Sequence, residues 1–321
     1  SIVQVPYDTN FNVYFSDAAG NSGMVDNTTD GSGVTVDLEA PSLTKVEVSS
    51  TNTNTQGQLE QLAKEGDTIT LTVESSEALK SLSVTGSDGS TTPLTAVGNT
   101  GREWTLSDTV DSDDSGELSF TLAYEDLAGN AGTSVSDTTN NSKVTFDTRV
   151  PTLSSVSLAS NNVSTNRAKS GDNLTLSFTS SEPIPAPTVT LAGLTITATS
   201  GNGTDWQAVH PVGNNTPNGS ANFSISFVDE AGNVGAAVTK TTDQSSVNVD
   251  TRTPTLTLVK LKSNNSNNTS LAKFGDTVTL EFDASEIIET PSAKINGIES
   301  TVSIGTSNDW QAVYQVPSIR V

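Results

Sequence analysis

The stretch AKEGDTITLTVESSEAL at residues 63–79 returns as AKSGDNLTLSFTSSEPI at 168–184 and as AKFGDTVTLEFDASEII at 272–288. Within each copy apolar and polar residues alternate, the period of a half-buried strand. A Gly-Asp pair turns the chain ahead of the run, and Ser-Glu follows it. Three copies of one strand with its flanking turns make the chain a tandem array, and that decides the fold.

Other landmarks repeat in the same order. VDLEAP at 36–41 matches FDTRVP at 146–151 and VDTRTP at 249–254. REWTL at 102–106 matches TDWQAV at 204–209 and NDWQAV at 308–313. FSDAAGNSG at 15–23 matches YEDLAGNAG at 124–132 and FVDEAGNVG at 227–235. The linker acids Asp37, Asp147 and Asp250 lie 110 and 103 residues apart. That period is too long for a solenoid and suits one Ig-type sandwich. SLTKVEVSS, SANFSISFVD and SKVTFD also alternate, and no long segment has helical periodicity. The expected fold is all-β, with tandem Ig-like β-sandwich domains of about 100 residues set end to end. The expected boundaries are 38–147 and 148–250 for two complete repeats. Residues 1–37 read as the closing half of a repeat and 251–321 as the opening half. Trp104, Trp206 and Trp310 read as core anchors, with sugar stacking as the alternative.

Composition narrows the function. The chain of 321 residues has 37 acidic and 15 basic side chains, a formal net charge of −22 and no cysteine. That charge argues against nucleic acid and against anionic lipid, and it favours hard divalent cations. Without cysteine there is no disulfide, thiolate site or Cys nucleophile. No apolar run is long enough for a transmembrane helix, so no membrane insertion is expected. The opening SIVQVPYDTN has neither the basic nor the apolar region of a signal peptide. Catalysis is not expected. The single His210 has no recurring partner, and no nucleophile elbow is present.

In an Ig sandwich the B–C and F–G loops lie at the pole where the chain enters, and the A–B loop lies at the opposite pole. The linker acid Asp147 should therefore meet Glu182 at the end of strand B, and Asp229 and Asn233 in the F–G hairpin. Likewise Asp37 should meet Glu77, Asp126 and Asn130. Asp250 should meet Glu286, and the F–G partner of that pair is expected only from Asp17 and Asn21 of another copy of the chain. From across each junction, Asp67 and Asp172 of the A–B loops are second-tier candidates. An all-oxygen set of this kind suits Ca2+ better than Mg2+, which demands tighter octahedral geometry, or a transition metal, which favours His or Cys. Each motif also has a plainer reading. Asp before a turn caps it, and Gly-Asn supplies the positive φ of a hairpin.

The ordered set of D-T-x-x-P linker, G-D-x-x-T-L strand, S-E, Trp strand and D-x-A-G-N-x-G hairpin resembles the bacterial Ig-like repeats of giant secreted surface adhesins, of the type I-secreted, RTX-like kind. The resemblance spans the whole chain. It departs at the first linker, where Leu38-Glu39 stands for Thr-Arg. It implies a cell-surface or extracellular stalk whose domains are stiffened by calcium at their junctions and whose partners are neighbouring repeats. Two other readings stay open. The half repeats 251–321 and 1–37 could complete one another between copies and build a filament, or the domains could bind a ligand such as a glycan or ice.

Overall fold

The computed structural model describes residues 7–55, 57–87, 89–306 and 308–317. All regular elements among these residues are strands. The chain divides into two compact units. One comprises 1–159, 175–210 and 222–246, the other 160–174, 211–221 and 247–321.

In the first unit, the alternating stretch becomes the strand Thr68–Ser75. It pairs antiparallel with Leu43–Ser50 on one side and Glu103–Thr109 on the other, and Thr95–Val97 completes a four-stranded sheet. A second sheet sets Leu79–Gly86 between Phe120–Asp126 and Thr91–Pro93. The apolar positions of both sheets pack into one cluster that includes Val46, Val73, Leu82, Trp104, Leu122 and Tyr124. This is a β-sandwich of Ig-like order. The strand Lys143–Phe146 runs parallel to Glu60–Ala63, and Val144 and Ala63 belong to the same core cluster. That pairing brings the chain out of the sandwich directly into the next linker, and the Asp147 amide donates to the Ala63 carbonyl (2.8 Å).

The same strand set recurs. Leu153–Ser160, Asn173–Ser180, Asp205–Pro211 and Thr199–Ser200 form one sheet in that order. Thr188–Leu191 pairs with Leu194–Thr197 and Phe223–Ser226 in another. Val156, Leu176, Phe178, Val189, Trp206 and Ile225 are buried. The Trp residues are thus core anchors: Trp104 is 8%, Trp206 5% and Trp310 6% exposed.

In the second unit, Asn248–Val249 runs parallel to Arg167–Ala168 and antiparallel to Gly219–Ser220. That unit also holds a five-stranded sheet of Leu256–Ser263, Thr277–Ala284, Asp309–Gln315, Ile298–Ile304 and Ala293–Ile295. Its first strand leaves Leu258, Val259 and Leu261 exposed. Residues 7–36 form two short ladders, Val13–Ser16 with Ser22–Val25 and Tyr7–Asp8 with Thr35–Val36.

The nine-residue hairpin motif has a physical reason at both ends. Its sixth residue is Gly20, Gly129 or Gly232, each with φ near +90° (91, 93 and 88), where a Cβ is strained. Its ninth is a glycine because the aromatic side chain at its first place lies against it. A Cβ on Gly235 would lie 2.1 Å from Phe227 Cε2, and one on Gly132 would lie 2.0 Å from Tyr124 Cε2.

Candidate metal centre

Three segments far apart in sequence deliver the acids. Asp147 comes from the linker, Glu182 from just beyond the strand Asn173–Ser180, and Asp229 from the hairpin. One carboxylate oxygen from each lies within 4.8 Å of the others. Asp37, Glu77 and Asp126 form a second cluster of the same geometry. In each, the linker acid and the glutamate are half-buried, while the hairpin acid is only 1% exposed.

The hairpin acid is held by its own turn. Asp229 Oδ1 accepts the Asn233 amide N–H and Oδ2 accepts the Asn233 side-chain amide, both at 2.8 Å. Asp126 is held likewise by Asn130, at 2.8 Å for both bonds, and also by the Gly129 N–H at 2.7 Å. The same Asn side chains reach the linker: Asn233 Nδ2 donates to the Asp147 carbonyl (2.8 Å) and Asn130 Nδ2 to the Asp37 carbonyl (3.2 Å). The two asparagines therefore act as donors that clip hairpin to linker. In each, the side-chain nitrogen is the group engaged toward the acid and the linker.

The glutamate is placed by its strand end. Ser180 Oγ donates to the Glu182 carbonyl (2.6 Å), and Ser75 Oγ to the Glu77 carbonyl. The Ser-x-Glu spacing is thus a positioning device for the acid. The linker acid caps its own turn: the Arg149 N–H approaches Asp147 Oδ1 at 3.4 Å, and the Glu39 N–H approaches Asp37 Oδ1 at 3.1 Å.

Gathering acids this way disturbs their titration. Burial pushes Glu182 above the ordinary glutamate value, and the charges of Asp147 and Asp229 add to it. Glu77 is raised by burial and then by Asp37 and Asp126. Asp147 is raised by burial and by Asp229. For Asp126, burial works upward but the hydrogen bonds from Asn130, Gly129 and Ala128 outweigh it, so that carboxyl is lowered. Each cluster thus holds one or two acids whose ionised form is disfavoured beside a like charge. A cation among them would reverse that penalty. The donor set fits a hard ion: three carboxylates supply up to six oxygens, all donors are oxygen, and no His or Cys is involved. Asp37, Glu77 and Asp126 would hold one such ion, and Asp147, Glu182 and Asp229 another.

The remaining expected residues are placed differently. Asp17 repeats the hairpin geometry, accepting from the Ala19 and Asn21 N–H groups (2.9 Å each) and from Asn21 Nδ2 (2.7 Å). Asp250 caps its linker through the Arg252 N–H (3.1 Å). Among the described residues, neither Asp17, Asp250 nor Glu286 joins a cluster of three acids.

Among the described residues, Asp67 and Asp172 lie outside the two carboxylate clusters. Asp67 Oδ2 accepts the Lys64 N–H (2.9 Å) and Asn52 Nδ2 (2.8 Å), and its other oxygen lies 3.7 Å from Lys64 Nζ. Asp172 is bound the same way by Asn162 (2.7 Å) and the Lys169 N–H (2.8 Å), with Lys169 Nζ at 3.1 Å. The Asn162 side chain, the Lys169 N–H and the Lys169 charge lower Asp172 to about 2 against the opposing effect of burial. These acids close the A–B turn and already have a cationic neighbour.

Sequence reading missed the asparagines that bind them. Asn52, Asn162 and Asn265 each follow a serine two residues earlier, whose Oγ accepts their N–H at 3.1, 3.1 and 3.2 Å. The visible signal was S-x-N ahead of each A-K-x-G-D.

No family model matches the chain, and no curated protein matches it. Solved structures do. A Ca2+-stabilised adhesin with which an Antarctic bacterium reaches out and binds ice is 20% identical, with 96% of this chain and 73% of that one covered at a TM-score of 0.43. A tetra-tandem repeat from the extending region of a large adhesion protein is 18% identical, with 98% and 71% covered and a TM-score of 0.29. A three-Ig fragment of titin is 12% identical, with 88% and 90% covered and a TM-score of 0.43. At these values the likenesses carry no functional argument.

Proposed function

We propose that the chain is a stalk segment of a bacterial cell-surface adhesin: tandem Ig-like repeats, non-catalytic, extracellular, and stiffened by calcium at their junctions. In this reading 38–147 and 148–250 are complete repeats, 1–37 is the end of a preceding one, and 251–321 is the start of a following one. The observation that carries it is the pair of matching clusters, Asp37–Glu77–Asp126 and Asp147–Glu182–Asp229. Each ties a linker to the two loops of the domain it enters. A cation bound there would remove linker freedom, and that is how such a site stiffens a rod.

The test is small-angle scattering of the full chain freed of metal and then supplied with calcium, with calorimetric titration of calcium alongside. The expected result is uptake at two sites and a longer maximum dimension with calcium. An unchanged envelope, or no heat of binding, overturns the reading.

A second reading has a separate observation behind it. Leu258, Val259 and Leu261 are exposed on the 251–321 segment, as are Val13, Tyr14 and Phe15 on 1–37. Apolar faces of this kind would be covered if half repeats completed each other between copies. Mass measurement in dilute solution separates the readings, because a strict monomer at micromolar concentration is incompatible with such a filament.

A further inference from the structure

The hairpin crown at 230–233 is engaged on two sides. Its Asn233 clips the linker, as described. On its other side, Asn52 Nδ2 donates to the Ala231 carbonyl (2.8 Å) and Asn54 Nδ2 to the Glu230 carbonyl (3.2 Å). Asn52 and Asn54 belong to the turn after Leu43–Ser50, 179 and 176 residues away in sequence from their partners. Asn52 is also bonded to Asp67 Oδ2, and its own Oδ1 accepts the Asn54 N–H (3.0 Å).

Burial marks this turn as a seat for the crown. Ala231 is 0% and Asn52 2% exposed. The matching Ala128 and Ala19, on crowns without such a seat, are exposed. The matching Asn162 and Asn265 are only half-buried. The crown glycine lies close against the end of the Asn54 side chain. A Cβ on Gly232 would lie 2.9 Å from Asn54 Nδ2, whereas a Cβ on Gly129 or Gly20 meets nothing within 4 Å.

We infer that the turn bearing Asn52 and Asn54 is a docking surface for the D-x-A-G-N hairpin of the next repeat, and that it latches the junction without metal. The latch rests on reading 38–147 and 148–250 as successive repeats; it does not rest on calcium. Asp67 acts as a positioning residue, because it accepts from Asn52 and is itself held by Lys64. The recognised chemistry is two backbone carbonyls followed by a glycine. The same surface is preformed at 263–276. There Asn265 Nδ2 donates to Asp276 Oδ2 (3.1 Å), the Asn267 N–H donates to Asn265 Oδ1 (3.0 Å), and the Lys273 N–H donates to Asp276 Oδ2 (2.7 Å). That pole would accept the crown of a further repeat. At 160–172 the second asparagine is replaced by Ser164, whose N–H bonds Asn162 Oδ1 (3.1 Å), so that pole offers one side-chain amide in place of two.

The chain has no cysteine, so exposed Thr95 and Thr195 can be replaced by cysteine and spin-labelled without interference. Electron–electron double resonance on the full chain, kept metal-free, then reads the spread of distances across the junction. A narrow distribution is expected for the parent chain, at least twofold broader in Asn54→Ala and broader again in N52A/N54A. Gly232→Ala and Gly129→Ala carry the same backbone strain, so they separate folding damage from latch damage. Only Gly232→Ala should broaden the distribution. A parent distribution already as broad as that of N52A/N54A, or equal breadth in the two glycine variants, overturns the latch. Calcium is added last. If it fails to sharpen N52A/N54A, the calcium reading fails while the metal-free comparison still decides the latch.

Discussion

Replacing Glu182 by Gln removes one charge from its cluster with almost no change of shape. In the metal-free chain this relieves two repulsions, toward Asp147 and toward Asp229, each across no more than 4.8 Å between the nearest placed oxygens. At that range a pair of unit charges is worth about 1 kcal/mol in water-like surroundings and about 3–4 kcal/mol at an effective dielectric constant near 20. Glu182 is half-exposed, so the water-like figure applies, and the relief is about 1–2 kcal/mol for the two pairs. For a domain of about 100 residues, 1 kcal/mol moves the melting temperature by roughly 4–8 °C. E182Q should therefore melt several degrees above the parent chain when metal-free.

With calcium the sign reverses. The parent gains about 2.7 kcal/mol when calcium stands at 100 times its dissociation constant. E182Q has one carboxylate fewer and gains less. The assay is differential scanning calorimetry of both chains, metal-free and with calcium, with the exposed Glu103→Gln as a control that belongs to no cluster. A metal-free E182Q that melts below the parent, or an equal calcium-induced rise in both chains, refutes the electrostatic reasoning and the metal assignment together.

Three further outcomes follow from the same geometry. Asp229→Asn turns an amide nitrogen or its oxygen toward Asn233, so one of the two bonds from Asn233 is lost at a buried site; metal-free urea unfolding should show a loss of about 1–3 kcal/mol, and a change near zero would mean the hairpin does not need its acid. Glu77, Asp147 and Glu182 are raised above their ordinary values, so they bind protons more tightly folded than unfolded; metal-free stability should be greatest near the ordinary carboxylate range and fall as pH rises toward 7, while the calcium-induced gain shrinks as pH falls, and an E77Q/E182Q chain should lose most of the metal-free slope in denaturant titrations at stepped pH. Gly235→Ala forces its methyl into the Phe227 ring and should destabilise by about 1–3 kcal/mol, whereas Gly213→Ala, which meets nothing within 4 Å, should be close to neutral in the same unfolding assay.

What the sequence could reveal depended on whether a residue's role is set by its own strand or by a distant one. The strands Thr68–Ser75 and Asn173–Ser180 were legible because alternation is a local property, and each buries its apolar face as the pattern requires. The acid triads were legible because Ig topology fixes which loops share a pole, and recurrence singles out the acids. Glu60–Ala63 was not legible. It is a four-residue strand whose parallel pairing to Lys143–Phe146 depends on a segment 83 residues away.

Asn52 was hidden for a related reason. In a chain rich in Asn, Ser and Thr, one asparagine carries no signal until its four partners are known, and one of them lies 179 residues on. The hairpin stood between these extremes. Its Gly-Asn announced a turn, but its first and ninth residues looked incidental. The ring of Phe227 over Gly235, and of Tyr124 over Gly132, shows that the motif is nine residues long because an aromatic must lie across its own returning strand. That packing holds the returning strand against the Asp-bearing strand. It therefore bears on where Asp126 and Asp229 stand, and on the acid cluster that each completes. A change that spares every acid but enlarges that glycine should weaken the cluster as well as the fold.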